Sequence, residues 1–296
     1  MLTPKQTLHH TSVKVKLHER LRGAQEQRKG GDILHASTIT DDKGFCAREF
    51  SLLSFLKVAP GSEKISTSLQ FTFDMGNAVQ EIVTRHLIDL LWGIWKCNHC
   101  YATHHEMSLR PDECEQCGSG QLIYHEPRFT SSVTGISGGV DLVIKFPGHD
   151  KMRCIELKTM EKDGFKKLLA PIAKHRLRSN LYLRIISESD YADIIDTTES
   201  SILYCDKGFG CKDDGTLDKY GVYEPTSPFK EYIIKRDDKG LAKVLIQVEP
   251  LKAFREKGVM PQRICSSLQD KRAAKCPVKG ECFSGKYQAG KVVKQA

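Results

Sequence analysis

The chain has 296 residues, a formal net charge of +8 at pH 7 and 40% apolar residues. An apolar share of this size supports a buried core in one elaborated domain or two small ones, which excludes a disordered polypeptide. No apolar run approaches the roughly 20 residues of a membrane helix, and the first residues lack the apolar stretch of a secretion signal. We therefore expect a protein of the cytoplasm, in a bacterium or a virus-infected host cell. Its positive charge favours a polyanionic partner such as nucleic acid, or describes a merely basic enzyme.

Apolar periodicity predicts the elements in chain order, after a polar, basic arm over residues 1–35 that is mobile or loosely helical. The clearest helix is expected over residues 74–95, because its apolar residues recur at helical spacing. These residues are Val79, Val83, Leu87, Leu90, Leu91 and Ile94. The same patterns predict helices at about 161–173, 176–188 and 240–257, strands at 200–206 and 231–236, and a basic tail at 286–296.

A hairpin is predicted where two stretches of alternating residues flank turn residues at 147–151. Pairing across this turn places Asp141 within about one residue of the position opposite Glu156. Residues two apart share a strand face, so Glu156 and Lys158 point the same way. Asp141 and Glu156 each interrupt an apolar strand, where a charge is costly without a role. Two carboxylates and one ammonium are therefore expected to converge.

This trio suits phosphodiester cleavage, in which a hard cation offsets charge on the phosphate and readies a water molecule. Mg²⁺ or Mn²⁺ takes oxygen ligands, predicted here from Asp141, Glu156 and the carbonyl of Leu157. Lys158 would orient the water or stabilise the transition state. The alternative is a solvated face with a chance Glu-x-Lys pair.

The stretches Gly138–Ile144 and Ile155–Thr159 resemble motifs II and III of the PD-(D/E)xK nucleases, most closely those of the RecB-like branch. The resemblance covers about residues 35–285 apart from an insertion at 97–120. It implies an α/β, restriction-endonuclease-like core with a mixed central sheet flanked by helices. In that family, the residues at the positions of Asp141 and Glu156 bind the catalytic metal. The residue at the position of Lys158 assists the attacking water.

Motif I of the family, Gly-x-x-x-His-Glu, reads Gly76–Glu81 here, with Gln80 in place of the His. On the predicted helix, Gln80 lies roughly 60° from the centre of the apolar stripe, whereas Glu81 lies nearly opposite it. Gln80 would therefore border the sheet and reach the metal with its amide oxygen. Glu81 would face solvent or contact DNA.

A further family motif, Gln-x-x-x-Tyr, corresponds to Arg178 and Tyr182, so the Tyr is kept and the Gln is replaced. The two residues are four apart and share a helix face. Arg178 is expected to grip a phosphate near the cut. The alternative is a surface arginine beside a core tyrosine.

Two Cys-x-x-Cys pairs, thirteen residues apart, form the first cysteine set. Its members are Cys97, Cys100, Cys114 and Cys117. Four thiolates at this spacing are typical of structural Zn²⁺, and Gly118 permits a tight turn after the second pair. A zinc ribbon is predicted, with a redox pair or unrelated thiols as alternatives. Its role would be DNA grip, a partner contact or local stiffening.

The second cysteine set comprises Cys265, Cys276 and Cys282 near the end of the chain, with Cys46 as the natural fourth member. This arrangement resembles the iron-sulfur RecB-like nucleases, including AddB-type and CRISPR-associated relatives, and implies a 4Fe-4S cluster. The family spacing at the end is Cys-x2-Cys-x5-Cys, whereas ten residues separate the first two cysteines here. Zinc at the same thiols, or no metal, remain alternatives.

Three cysteines are left over. Cys154 is predicted to be a buried apolar filler, while Cys205 and Cys211 are spare thiols or substitutes for a cluster ligand.

The leading functional hypothesis is a metal-dependent deoxyribonuclease, most simply an exonuclease acting on DNA ends or single strands, with a helicase or recombination protein as partner. The first alternative is an inactive nuclease fold that binds or scaffolds DNA. The second is a zinc-ribbon transcription factor. The expected organisation is an arm at 1–35, a nuclease core at 36–96 and 121–260, a ribbon at 97–120, an iron-sulfur segment at 261–285 and a tail at 286–296.

Overall fold

A computed structural model describes residues 13–23, 33–58, 66–208, 216–217, 223–224 and 227–293. The chain divides into two compact units. The sheet unit comprises Ile33–Phe45 and Ala78–Leu245, and the helical unit comprises the described parts of Met1–Asp32, Cys46–Asn77 and Ile246–Ala296.

The helices are α1 (Val13–Gly23), α2 (Ala36–Ile39), α3 (Ala47–Phe55), α4 (Thr67–His86), α5 (Lys162–Lys167), α6 (Ala173–Ser187), α7 (Asp238–Leu245), α8 (Pro250–Lys257), α9 (Lys271–Ala274) and α10 (Lys279–Phe283). The strands are β1 (Leu34–His35), β2 (Trp92–Cys97), β3 (Thr103–Leu109), β4 (Leu122–His125), β5 (Arg128–Thr130), β6 (Ile136–Gly139), β7 (Leu142–Ile144), β8 (Arg153–Met160), β9 (Glu199–Asp206), β10 (Thr216–Leu217), β11 (Tyr223–Glu224) and β12 (Phe229–Lys235). Among the described residues, none of these helices has the length and apolar character that crossing a membrane requires.

A four-stranded mixed sheet in the order β12-β9-β8-β7 organises the sheet unit. β8 pairs parallel with β9 and antiparallel with β7, while β9 pairs antiparallel with β12. The parallel pair needs a crossover connection, which contains α5 and α6. The core residues Ile155, Ile202 and Tyr204 are at most 4% exposed. The predicted α/β fold with a mixed sheet and helices is confirmed, and β9 and β12 lie where strands were expected.

The helix predicted over 74–95 is wrong at both ends, because α4 covers Thr67–His86 and Trp92–Cys97 is a strand. β2 is hydrogen-bonded on both sides, to β3 and to β4. A Cβ on Gly93 would lie 2.5 Å from the ring of Tyr124, so this glycine lets the strand approach its neighbour closely. Sheet pairing therefore overrides the helical spacing of the apolar residues at this point.

Two other predicted helices are divided or shortened. The stretch 161–173 contains the short helix α5, and the next helix, α6, begins at Ala173. The stretch 240–257 contains α7 and α8, separated by a turn, and Pro250 begins α8. Proline has no N–H and fits the first turn of a helix, so it starts α8 instead of continuing α7.

The helical unit packs around a small apolar core. Leu52 of α3, Met260 and Val278 are each at most 2% exposed and form one cluster. Arg48 of α3 is buried and donates hydrogen bonds to the carbonyls of Pro261 and Tyr287. These contacts join α3 to the C-terminal segment. Most of the predicted basic arm lies outside the described residues, apart from α1 and residues 33–35.

Candidate active site

The hairpin of β7 and β8 sets the geometry of the carboxylate site. Its register pairs Leu142 with Ile155, which places Asp141, one residue earlier, opposite Glu156. The N–H of Leu157 donates to Asp141 Oδ2 at 2.7 Å and so fixes the first carboxylate against the second strand. The expected convergence of the two acidic side chains is therefore present in the structure.

Lys158 joins the two carboxylates. Its Nζ lies 2.7 Å from Glu156 Oε1 and 3.4 Å from Asp141 Oδ2. It also donates to the carbonyl of Leu157 at 2.8 Å, so the carbonyl expected to bind a metal accepts from this ammonium. Burial opposes the positive charge, but Asp141 and Glu156 outweigh burial and raise the pKa of Lys158. The ammonium is therefore charged at neutral pH.

Glu156 is the most buried acidic group of this site, with 2% of its surface exposed. Burial, followed by the neighbouring Asp141 carboxylate, raises the pKa of Glu156. Its Oε2 is buried and has no hydrogen-bond partner among the described residues. A buried oxygen without a partner is costly unless a ligand satisfies it. This carboxylate beside Asp141 therefore fits a divalent cation that takes oxygen ligands.

Glu126, which the sequence patterns did not single out, borders this pair. Its Oε1 accepts a hydrogen bond of 2.7 Å from Gln80 Nε2. Burial and the nearby Asp141 raise the pKa of Glu126. Its oxygens do not complete a group of three carboxylates within 4.8 Å of one another among the described residues, so Glu126 stands back from the pair. No local spacing predicts it, because the contact with Gln80 joins residues 46 positions apart.

The amide of Gln80 holds the carboxylate of Glu126 in place. Gln80 is half-buried, whereas the side chain of Glu81 is 78% exposed and lies near Arg85. Gln80 is thus less exposed than Glu81, as expected from helical geometry, while ligation of a metal by the Gln80 amide oxygen stays a prediction. Gln80 contacts Glu126, and its amide nitrogen is directed at that carboxylate.

Arg178 of α6 also reaches Glu156. Its Nη1 lies 3.3 Å from Glu156 Oε1, the same oxygen that Lys158 contacts. Its Nε donates to Thr40 Oγ1 at 3.2 Å. The guanidinium therefore belongs to the carboxylate site, and Thr40 is a further residue that sequence patterns did not indicate.

Tyr182 packs one helical turn further along α6 and is 7% exposed. A Cβ on Gly138 of β6 would lie 2.6 Å from the Tyr182 ring, so the absence of a side chain at this position leaves space for the tyrosine. Burial raises the pKa of Tyr182, and Glu156 and Asp141 raise it further. The Tyr182 hydroxyl is therefore protonated at neutral pH, and its ring borders the carboxylate site.

His175 lies on the same helix, three residues before Arg178, and was also missed. Its Nδ1 is 2.9 Å from the hydroxyl of Tyr204, which accepts a hydrogen bond from the N–H of Ile172. Burial, and then the positive charges of Lys158 and Arg178, lower the pKa of His175 to about 4. The imidazole is therefore neutral beside two cations.

The ribbon forms the second candidate site, on the three-stranded sheet β3-β2-β4. The sulfur atoms of Cys97, Cys100, Cys114 and Cys117 all lie within 4.8 Å of one another. The Cys97–Cys117 and Cys100–Cys114 sulfur distances are 3.6 and 3.7 Å. Although burial opposes it, hydrogen bonds from Gln116 and other donors lower the pKa of Cys114 to about 6. The four thiols fit one tetrahedral metal ion, and the predicted four-cysteine insertion is confirmed.

Both ribbon knuckles end in the same backbone conformation. Tyr101 follows Cys100 with φ 63°, and Gly118 follows Cys117 with φ 70°. This left-handed region suits glycine and strains a residue with a Cβ. The first knuckle therefore carries a strain that the second avoids.

The terminal thiols form the third candidate site, within the helical unit. They line one pocket with about 310 Å³ of empty space, part of it open to solvent. Its cysteines are Cys46, Cys265, Cys276 and Cys282. Among the described residues, only the ribbon cysteines form a group of three or more ligands within 4.8 Å, so the terminal thiols are more widely spaced. Arg48 Nε donates to the sulfur of Cys282 at 3.2 Å.

Cys154 and Cys205 are separate from both sets. Cys154 is 1% exposed in β8, and burial raises its pKa, as expected for an apolar filler. Cys205 is buried in β9, and burial raises its pKa to about 11. Cys211 lies outside the described residues.

No family model matches the chain, and no curated protein matches it. Among solved structures, the chain is similar to an alkaline exonuclease from Laribacter hongkongensis, with 12% identity and a TM-score of 0.39. The match covers 79% of this chain and 91% of that chain.

Proposed function

We propose that the chain is a metal-dependent deoxyribonuclease of the PD-(D/E)xK type, with a RecB-like core. One observation carries this proposal: the buried Glu156 has an oxygen with no hydrogen-bond partner in the part of the chain that the structure describes, and this residue lies beside Asp141 and Lys158. A structural ion pair would satisfy its oxygens with protein donors, whereas a cation site leaves one oxygen for the ion.

The chemistry follows from the residues. Asp141 and Glu156 would hold Mg²⁺ or Mn²⁺, with the carbonyl of Leu157 as a third candidate ligand. The bound ion would offset negative charge on the phosphate and acidify a water molecule. Lys158 stays protonated between the two carboxylates, so it would orient the water and stabilise developing charge rather than remove a proton. Tyr182 would exclude solvent from one side of the site.

The substrate class follows from charge. The formal net charge of +8 favours a polyanion, and Arg178 places a guanidinium at the carboxylates where a phosphate would bind. We propose DNA ends or single strands as the substrate, in recombination, repair or replication. A helicase or recombination protein would supply such ends. Encoding by a virus or mobile element would suit the compact length.

The two thiol sites receive different cofactors in this proposal. The ribbon at 97–120, inserted between core segments 36–96 and 121–260, would hold Zn²⁺. The wider pocket, formed by Cys46 and the segment 261–285, would hold a 4Fe-4S cluster, because a four-iron cluster separates its cysteines further than one zinc ion does. Both sites require reduced cysteines, which fits a cytoplasmic location.

A second candidate function rests on Arg178. Because this guanidinium contacts Glu156, it would weaken metal binding, and the protein would then bind or scaffold DNA without cutting it.

The deciding experiment measures degradation of end-labelled linear duplex, single-stranded and circular DNA with Mg²⁺ or Mn²⁺. The wild type should degrade linear and single-stranded DNA and spare circular duplex. Asp141→Asn should lower the rate at least about 10³-fold. Asp193→Asn, which neutralises an exposed carboxylate elsewhere in the sheet unit, should leave the rate unchanged. DNA binding without cleavage by the wild type would replace the nuclease with the scaffold.

A further inference from the structure

The guanidinium of Arg178 is held in place before any substrate binds. Its Nε donates to Thr40 Oγ1 at 3.2 Å, and this hydroxyl donates to the carbonyl of Ala36 at 3.1 Å. Thr40 is 3% exposed. A fixed, buried hydroxyl therefore anchors one edge of the guanidinium and directs the other edge at Glu156.

One oxygen of each acidic group in the site already accepts from a protein donor. Glu156 Oε1 contacts Lys158 and Arg178, at 2.7 and 3.3 Å. Asp141 Oδ2 accepts from the N–H of Leu157, and Glu126 Oε1 accepts from the Gln80 amide. Asp141 and Glu156 are thus each arranged to offer one remaining oxygen, which suits monodentate ligands of one ion that keeps several waters, while Glu126 lies outside this pair.

The formal charges of the carboxylate site also favour one divalent ion over two. Glu126, Asp141 and Glu156 contribute three negative charges when ionised, and Lys158 and Arg178 contribute two positive charges. One divalent ion would leave one positive charge, which a phosphodiester neutralises. A second divalent ion would leave three, in a partly buried site where excess charge is costly.

We infer that the carboxylate site takes a single divalent cation, and that Arg178 occupies the side of Glu156 that a second cation would need. Arg178 is then a positioning residue that sets metal number and affinity. This inference deepens the proposed function and rests on it for the identity of the site.

The experiment titrates the full-length protein, with its thiol sites loaded, with Mn²⁺ and follows free Mn²⁺ by electron paramagnetic resonance. The wild type should bind one Mn²⁺ that is lost in Asp141→Asn. Arg178→Gln should bind Mn²⁺ at least about tenfold more tightly or bind a second ion, because it removes a positive charge next to a ligand. Arg178→Lys keeps the charge and should resemble the wild type in ion number.

Two variants serve as controls. Arg176→Gln makes the same change at an exposed position of α6 and should leave the titration unchanged. Thr40→Val removes the anchor of the guanidinium and should shift the affinity in the same direction as Arg178→Gln, by less. Two Asp141-dependent Mn²⁺ ions in the wild type, or identical titrations of wild type and Arg178→Gln, would overturn the inference.

The single-ion inference and the nuclease proposal can be refuted independently of each other. One Asp141-dependent Mn²⁺ in a protein that cuts no DNA would refute the nuclease and keep the single-ion site. Asp141-dependent cleavage with two bound Mn²⁺ ions would keep the nuclease and refute the inference.

Discussion

The carboxylate site and the ribbon are both in the sheet unit, yet they are assembled in opposite ways. The ribbon brings together four thiols within 21 consecutive residues, Cys97–Cys117, and their sulfur atoms lie within 4.8 Å of one another. The carboxylate site draws on Thr40 after α2, on α4, β8 and α6, and on the residues Glu126 and Asp141 between strands, so its contacts join segments that are distant in sequence. The comparison shows that residue spacing in the sequence predicts a site whose ligands lie close together along the chain. It predicts only part of a site whose residues are distant in sequence.

The chemistry of the two sites also differs. The carboxylate site offers oxygen atoms beside two cations, which suits a hard ion that exchanges. The ribbon offers sulfur atoms, which suit a soft ion that stays bound. Because their ligand atoms differ, we expect that the metal ion of either site can be removed while the other site keeps its own.

The largest expected effect separates the two sites by mutation. Glu156→Gln keeps the shape of the side chain and removes the charge that binds metal, so DNA cleavage should fall at least about 10³-fold. Its zinc content should stay at one per chain. Cys114→Ser should lose zinc, because a closed site needs all four thiolates. Asp112→Asn is the exposed control for the ribbon. Loss of zinc in Glu156→Gln would show that the sites are coupled.

The terminal thiols sharpen the comparison by adding a wider sulfur site. The protein as isolated should be brown, absorb near about 400 nm and contain about four irons and one zinc. Cys276→Ser should lose the colour and the iron and keep the zinc of the ribbon. Colourless protein with two zincs per chain would refute the iron-sulfur proposal and leave the nuclease proposal intact.

Metal binding at the carboxylate site should depend on pH through Glu156. Burial and Asp141 raise the pKa of Glu156 above its usual 4.5. In metal-free protein, this group therefore adds stability at pH below 4.5, and that contribution is lost as pH rises through the raised pKa. Mn²⁺ binds only the ionised form, so its effect on Tm has the opposite dependence.

The increase in Tm caused by Mn²⁺ should be full above the raised pKa of Glu156 and disappear as pH falls through it. Thermal denaturation across this range, with and without Mn²⁺, measures the effect. Glu156→Gln should show little Mn²⁺ stabilisation at any pH. A Tm increase in the wild type that persists unchanged at pH 4 would argue against this carboxylate as a ligand.

A smaller effect, on stability, is expected where Gly138 contacts Tyr182 beside the carboxylate site. Gly138→Ala places a methyl group 2.6 Å from the ring of Tyr182, so it should lower the free energy of unfolding by about 1–3 kcal/mol. It should also displace the tyrosine and reduce cleavage. Gly164→Ala, whose nearest neighbour is the flexible end of Met160 at 3.4 Å, is the control in the same unit. Chemical denaturation compares the two.

The smallest effects belong to the ribbon knuckles. Gly118→Ala should destabilise the zinc-loaded ribbon by about 1 kcal/mol, because φ at this position is 70°. Tyr101→Gly should stabilise it by a similar amount at the equivalent position, where φ is 63°. Competition with a zinc-binding dye measures both. Equal zinc affinities for both variants would contradict the equivalence of the knuckles.

The sequence by itself determined the features that depend on neighbours along the chain. The hairpin around 147–151 and the alternation of Glu156 and Lys158 follow from the two-residue period of a strand. The cysteine ribbon follows from paired spacing. The outward direction of Glu81 and inward direction of Gln80 follow from helical geometry. Each of these depends on a contact within a short stretch, so periodicity or spacing encodes it.

Only the tertiary structure decided the partners of these residues. Glu126 meets Gln80, and Arg178 meets both Thr40 and Glu156, across separations that no local pattern records. The strand at Trp92–Cys97 replaced a helix for the same reason, since its hydrogen bonds go to β3 and β4. Backbone pairing and buried charge contacts are satisfied by residues distant in sequence, and those distances are fixed only when the chain has folded.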